Sequence, residues 1–235
     1  ITVYRERVID EGMIKKRVAI NPGFQNKIEK QTSTEISIST EASESTNEYI
    51  LRKALEKRNE LIQKMIAEGA SVNPLMLIQL PDKRQGVEDI KDEIVQNLRE
   101  NHNITVENGK LAIYLSEDKE NLANIAHNES EVEVMLFKQA IALGWDCPRA
   151  AILALFRDWR SFTFSTQTLG RILRMPELKH YDDDELNTGF VFTNLSDFSI
   201  QEELTGDFLT TQHAKRKESY QFVSLQSVHL KRQRE

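Results

Sequence analysis

Two spacings of apolar residues divide this chain. Between positions 51 and 66, Leu51, Ala54, Leu55, Leu61, Ile62, Met65 and Ile66 recur at helical spacing, so a helix with one apolar stripe is predicted there. A capping box, Ser45-x-x-Glu48, opens it, because the serine oxygen and the glutamate can each satisfy an orphan amide, and the helix runs towards Gly69. From Pro74 onward the pattern changes to short, unbroken apolar runs at 75–80, 111–115, 132–137, 151–156 and 190–193. Such runs suit strands covered on both faces. Amphipathic stretches such as Val87, Ile90, Ile94 and Leu98 supply the covering helices. The alternation predicts an α/β fold, a mainly parallel sheet sandwiched by helices, whose functional loops lie beyond the carboxyl ends of the strands.

Outside this region the chain is less regular. Arg17 to Gly23 reads as an extended lead-in segment stopped by Pro22-Gly23, and residues 1–24 form a first region. Residues 25–47 are rich in Ser, Thr and Glu, too polar to order by burial, and read as a loop or linker. The main domain is expected over 48–200, followed by an extension over 201–235 that carries basic clusters at Lys215-Arg216-Lys217 and near Lys231. The acidic run Asp182-Asp183-Asp184-Glu185 reads as a solvated turn in preference to a metal site.

Composition narrows the function classes. With 235 residues, 39% hydrophobic and 29% charged, the chain can bury one sizeable core, and a net charge of −6 argues against a wholly basic nucleic-acid coat. The single cysteine, Cys147, excludes an intrachain disulfide and a cysteine-based zinc site. No apolar run approaches the roughly 20 residues of a membrane helix, and no signal-peptide order is present at the start. A cytoplasmic protein with no membrane partner and no resident metal is therefore expected. The start at Ile1 leads to the expectation of a fragment or processed chain.

Two short motifs carry the candidate chemistry. Gln167, Arg171 and Arg174 are four and three residues apart, which on a helix projects all of them from one face, and Gly170 removes a side chain beside them. Arginine stays ionised and presents a planar fork of donors, so this face suits phosphoryl oxygens. A surface helix face of ordinary Gln and Arg is the competing reading. Earlier, Gly144-Trp145-Asp146-Cys147-Pro148 offers a tight turn at Gly144 and a carboxylate, Asp146, able to accept from a ribose hydroxyl or from one of the arginines. Core packing by Trp145 and turn capping by Asp146 compete with that. No glycine starts a phosphate loop of the form G-x-x-x-x-G-K-S/T, so the chain reads as half of a nucleotide site.

The segment 138–148 resembles motif V of superfamily 2 helicases, and 167–174 resembles their motif VI. The G-W-D turn, the phrase Phe156-Arg157-Asp158-Trp159-Arg160-Ser161 and the G-R-x-x-R-M-P segment ending at Pro176 together look most like the helicase subunit of type III restriction enzymes. The resemblance covers about 74–194 well and 11–21 weakly.

It implies a second RecA-like lobe closing over ATP and Mg²⁺ held mainly by a first lobe absent from this chain. Gly144, Asp146 and Gly170 would lie near the nucleotide and its coupling path. Gln167, Arg171 and Arg174 would face the γ-phosphate, with Arg174 the arginine finger. Many relatives carry an arginine straight after the motif VI glutamine; Thr168 stands there in this chain and leaves one of the family's phosphate contacts without its arginine. Duplex DNA, the first lobe and a methyltransferase subunit are the implied partners, in a bacterial cytoplasm, and the chain alone is expected to be inactive. The alternatives are another superfamily 2 helicase lobe acting on RNA or DNA, and a noncatalytic RecA-like binding module.

Overall fold

The computed structural model describes residues 5–22, 45–80, 87–115, 118–138, 146–156 and 169–193. In chain order the elements are α1 (Arg5–Asp10), β1 (Arg17–Ile20), α2 (Thr46–Ala67), β2 (Leu75–Gln79), α3 (Val87–His102), β3 (Leu111–Tyr114), β4 (Lys119–Glu120), β5 (Val134–Phe137), β6 (Ala150–Leu155) and β7 (Thr188–Thr193). The strands join in one seven-stranded sheet of order β1-β7-β6-β2-β5-β3-β4. Every pairing is parallel except β3 with β4. The expected α/β class with a mainly parallel sheet is therefore observed, consistent with a RecA-like lobe. The polar stretch at 25–44, the tail from 194 onward, Gly144 and Gln167 lie outside the described residues.

The unbroken apolar runs become strands because both faces of the sheet are covered. Along β2, Met76 and Ile78 enter one core, whereas Leu75 and Leu77 enter the other. The first core is closed by α2 and α3 through Leu51, Leu55, Leu61, Ile94 and Leu98. The second is closed by Ile125, Val132, Leu169 and Ile172. Each fully buried Leu, Ile or Met contributes roughly 1.5–3 kcal/mol, so the double covering outweighs local preference in setting the strands. Among the described residues no helix is long and apolar enough to cross a membrane.

Helix α2 starts at the predicted capping box: the Glu48 amide donates to Ser45 Oγ at 3.2 Å, and the Ser45 amide donates to Glu48 Oε2 at 2.8 Å. It stops where Gly69 takes φ +70°, a backbone conformation in which an L side chain would be strained. Two features of the stripe differ from expectation. Ile66 is 64% exposed, because it falls beyond the edge of the stripe that Leu61 and Met65 bury. Arg58 takes a place inside the stripe and is 2% exposed.

Three further elements modify the sequence picture. The short helix α1 and the two-residue strand β4 carry too few apolar residues to be read from the pattern. Strand β1 is no mere lead-in: it is the parallel edge partner of β7, and its pairing is prolonged by Asn21, which exchanges two bonds with Thr193 at 2.8 and 3.0 Å. The acidic run does form a turn, but it is only partly solvated. Asp183 meets Lys64 at 2.7 Å, Asp184 meets Lys16 at 2.9 Å, and Glu185 meets Lys64 at 3.0 Å, so the run fastens α2 and the approach to β1.

Candidate functional site

The arginine motif enters the described structure at Leu169, in a single helical turn over 169–172. Leu169 and Ile172 are buried against the sheet. Gly189 of β7 makes room for Ile172, since a Cβ there would come within 3.3 Å of the isoleucine Cδ1. The turn then ends abruptly. Met175 precedes Pro176, and a residue before proline is disfavoured in the helical region. Backbone groups that would continue the helix are also taken by the segment before β1. The Lys15 amide donates to Leu173 O at 2.6 Å, the Met175 amide donates to Met13 O at 3.1 Å, and Ile14 and Arg174 form an antiparallel bridge.

This corrects two expectations. Gly170 and Arg171 lie on the helical turn, but Arg174 does not; it stands on an extended strap, so Arg171 and Arg174 do not share one helix face. Asp146 and Arg174 also do not lie beyond the carboxyl ends of the strands. Asp146 precedes β6 by four residues, and Arg174 is bridged to Ile14, three residues before β1, which places both at the amino edge. Asp146 lies just before β6, and Arg174 lies on the strap that runs beside the approach to β1.

At that edge the two motifs meet. Arg174 Nη1 and Asp146 Oδ1 form a direct ion pair, with side chains 41% and 60% exposed. The pair is wet enough to contribute only about 0–1 kcal/mol to stability. The Arg171 guanidinium is held below the usual arginine range, first by partial burial and then by the charge of Arg174, against which Asp146 acts in the opposite sense. Two guanidiniums that raise each other's energy beside one carboxylate form an edge that favours an added anion. Gly170 faces open space, for a Cβ there would meet no atom within 4 Å, so no contact among the described residues requires a glycine.

Beneath the edge lies a set of buried cations that the sequence pattern did not single out. Lys15, 2% exposed, donates through Nζ to Ile172 O at 2.7 Å, Arg174 O at 2.8 Å and Ala150 O at 3.3 Å. Burial lowers its pKa to about 7. Arg149 donates to Ile125 O and Asn73 O, each at 2.7 Å. Arg58 donates to Pro74 O at 2.8 Å, pairs with Glu133 at 2.9 Å, and bonds the Asn73 side chain. Each cation donates to at least one carbonyl at or just before the start of a strand: Ala150 O for Lys15, Asn73 O for Arg149 and Pro74 O for Arg58. Cys147 belongs to the same layer: its thiol donates to Ile125 O at 3.5 Å, and burial pushes its pKa up to about 11, which keeps it protonated. Beside the strap is an open polar hollow lined by Asn124, His127, Asn128 and Glu177, among others, and Asn128 reaches Pro176 O at 3.3 Å.

Among the described residues no group of three or more His, Cys, Asp or Glu side chains is placed to hold a metal. The fold and this edge together define a mostly parallel α/β domain that presents an arginine–carboxylate pair at the amino ends of its strands. No family model matches the chain, and no curated protein matches it either.

Proposed function

We propose that this chain is the second motor lobe of an ATP-dependent DNA translocase or helicase of the type III restriction kind, supplying arginines to a nucleotide bound on another lobe. The observation that carries the reading is the meeting of the two motifs, Arg174 with Asp146 and Arg171 beside them, on a solvent-facing edge. Residues 28 positions apart in sequence converge there on one anion-favouring patch. ATP would supply the phosphoryl group whose transfer to water drives movement. The contribution of this chain is to bring guanidinium forks to the oxygens on which charge spreads, with Asp146 orienting Arg174 until the lobes close. Mg²⁺ falls to the first lobe in this reading, since Asp183, Asp184 and Glu185 of the acidic run are engaged by Lys16, Lys57 and Lys64.

Arg174→Ala, made in the complete two-lobe protein, is expected to lower DNA-stimulated ATP hydrolysis by about 10³- to 10⁵-fold. An unchanged rate would remove the arginine-finger role. Stimulation by RNA instead of duplex DNA would move the reading to another superfamily 2 helicase. A noncatalytic binding module is favoured by one observation, that Arg174 already has a carboxylate partner within the chain. That reading predicts nucleic-acid binding with no stimulated hydrolysis in either protein.

A further inference from the structure

Lys15 binds both sides of the amino edge at once. Its Nζ reaches Ala150 O, the first carbonyl of β6, at 3.3 Å, and two carbonyls of the arginine strap, Ile172 O at 2.7 Å and Arg174 O at 2.8 Å. Its own amide donates to Leu173 O at 2.6 Å, so three successive carbonyls of the strap, at 172, 173 and 174, all accept from one residue. Asp146 stands four residues ahead of Ala150, at the far end of the same linkage. Lys15 thus connects the backbone that carries Arg174 to the strand whose entrance carries the carboxylate partner of Arg174.

A structural filler would not require this chemistry. A methionine or leucine fills a comparable volume without a charge to desolvate, and burying an ammonium is tolerated only where several acceptors converge. Here the acceptors are carbonyls with no carboxylate among them, which is the arrangement that ties backbone segments together. Next to it, Lys16 makes a surface pair with Asp184. The two adjacent lysines therefore do different work.

We propose that Lys15 is a positioning residue that sets the register of the Arg171–Arg174 strap against β6 and so fixes where the Arg174 guanidinium points. Its effect on catalysis rests on the arginine-finger reading above; its effect on the strap does not. The charged and titratable groups around it are Cys147 and Arg149 ahead of β6, Glu185 across a small cavity that it shares with Arg149, and Arg171, Arg174 and Asp146 at the edge. Opening of the strap returns the ammonium to water and to its ordinary pKa. Because the closed form holds Lys15 near 7, the opening becomes rarer as pH rises above 7. The neutral amine keeps two N–H donors for the carbonyls and loses the cost of a buried charge.

The test has two independent readouts. In amide hydrogen exchange on the 235-residue chain, Lys15→Met is expected to speed exchange at positions 15 and 175 by at least about tenfold while the amides of β2 and β6 keep theirs. Equal protection in variant and wild type would overturn the proposal. In the two-lobe protein, Lys15→Met is expected to lower kcat roughly 10²-fold with KM for ATP unchanged, the signature of a displaced group that acts only in the transition state. Added to Arg174→Ala, it should cost nothing further, because it acts through that arginine. A full additional loss would overturn it. If Arg174→Ala itself leaves the rate intact, the motor reading fails and the exchange result still decides the role of Lys15. Should Lys15→Met not fold, the wild-type chain serves: corrected for intrinsic rates, exchange at positions 15 and 175 slows together between pH 7 and pH 9, and a flat profile would overturn the proposal.

Discussion

Lys15 and Arg174 lie on the two sides of one bridge, yet the fold treats their charges in opposite ways. Lys15 is 2% exposed and its ammonium is spent on backbone carbonyls; the Arg174 side chain is 41% exposed and meets a carboxylate that is itself 60% exposed. A cation taken wholly out of water has to be answered by the chain, which leaves it nothing to offer a ligand. A guanidinium left in water beside one carboxylate can exchange that partner for a phosphate at little cost. The difference divides the edge into a layer that holds backbone in place and a layer that presents charge.

The sharpest way to break that division is to remove one member of each layer. Arg174→Ala is expected to leave the urea midpoint of the chain almost unmoved, since an exposed pair contributes about 0–1 kcal/mol, while abolishing most of the stimulated ATP hydrolysis of the two-lobe protein. Arg58→Met lies in the holding layer and should do the reverse in stability. It leaves Glu133 with Lys110 as its remaining partner and takes the donors from Asn73 Oδ1 and Pro74 O, and a cost of about 2–4 kcal/mol in urea unfolding is expected. A loss of less than about 1 kcal/mol would mean that water reaches these groups and that the layer is not dry.

These two arginines also mark what the sequence could and could not tell. The strands were legible because unbroken apolar runs survive only where both faces are covered, and the runs 75–80, 132–137 and 151–156 coincide with β2, β5 and β6 to within two residues. Arg171, Arg174 and Asp146 stood out by residue type and spacing, and the structure brings Arg174 and Asp146 into contact. Their place at the amino edge was not legible, because a motif between two strands can belong to the end of one or the start of the next. The spacing held the answer: Asp146 comes nine positions after Phe137 but only four before Ala150. Lys15 was illegible for a plainer reason. Its role comes from carbonyls 135 and 157 residues away, and nothing in Lys15-Lys16-Arg17 distinguishes the buried lysine from its exposed neighbour.

A smaller effect separates the layers by pH. Lys15 is depressed to about 7 in the fold, so between that value and its ordinary pKa of 10.5 the unfolded chain binds more protons than the folded one, and stability must rise with pH. The rise weakens from about pH 9, where unfolded Cys147 is half ionised while the folded thiol is held up to about 11, which favours unfolding. Urea unfolding from pH 7 to pH 9 should therefore show a gain on the order of 2 kcal/mol that Lys15→Met abolishes and Arg174→Ala retains. A gain retained by Lys15→Met would place its origin elsewhere and remove Lys15 from the dry layer.

The smallest effect is the most local. Lys16 follows Lys15 directly, but its Nζ reaches Asp184 at 2.9 Å across a surface where both side chains are about half exposed, 45% and 62%. Its amide donates to Asn187 O at 2.9 Å, a backbone bond that no side-chain substitution removes. Lys16→Met should then leave the urea midpoint and the exchange at positions 15 and 175 as they are in the wild type. Lys15→Met, one residue away and with the same change of side chain, should speed that exchange. If instead Lys16→Met loosened the strap to the same degree, the carbonyl contacts of Lys15 would not be what holds it. The acidic turn at Asp183 and Asp184 would then be the true anchor, acting through the approach to β1, and the dividing line would run between the two ends of the bridge's neighbourhood in place of between its buried and wet cations.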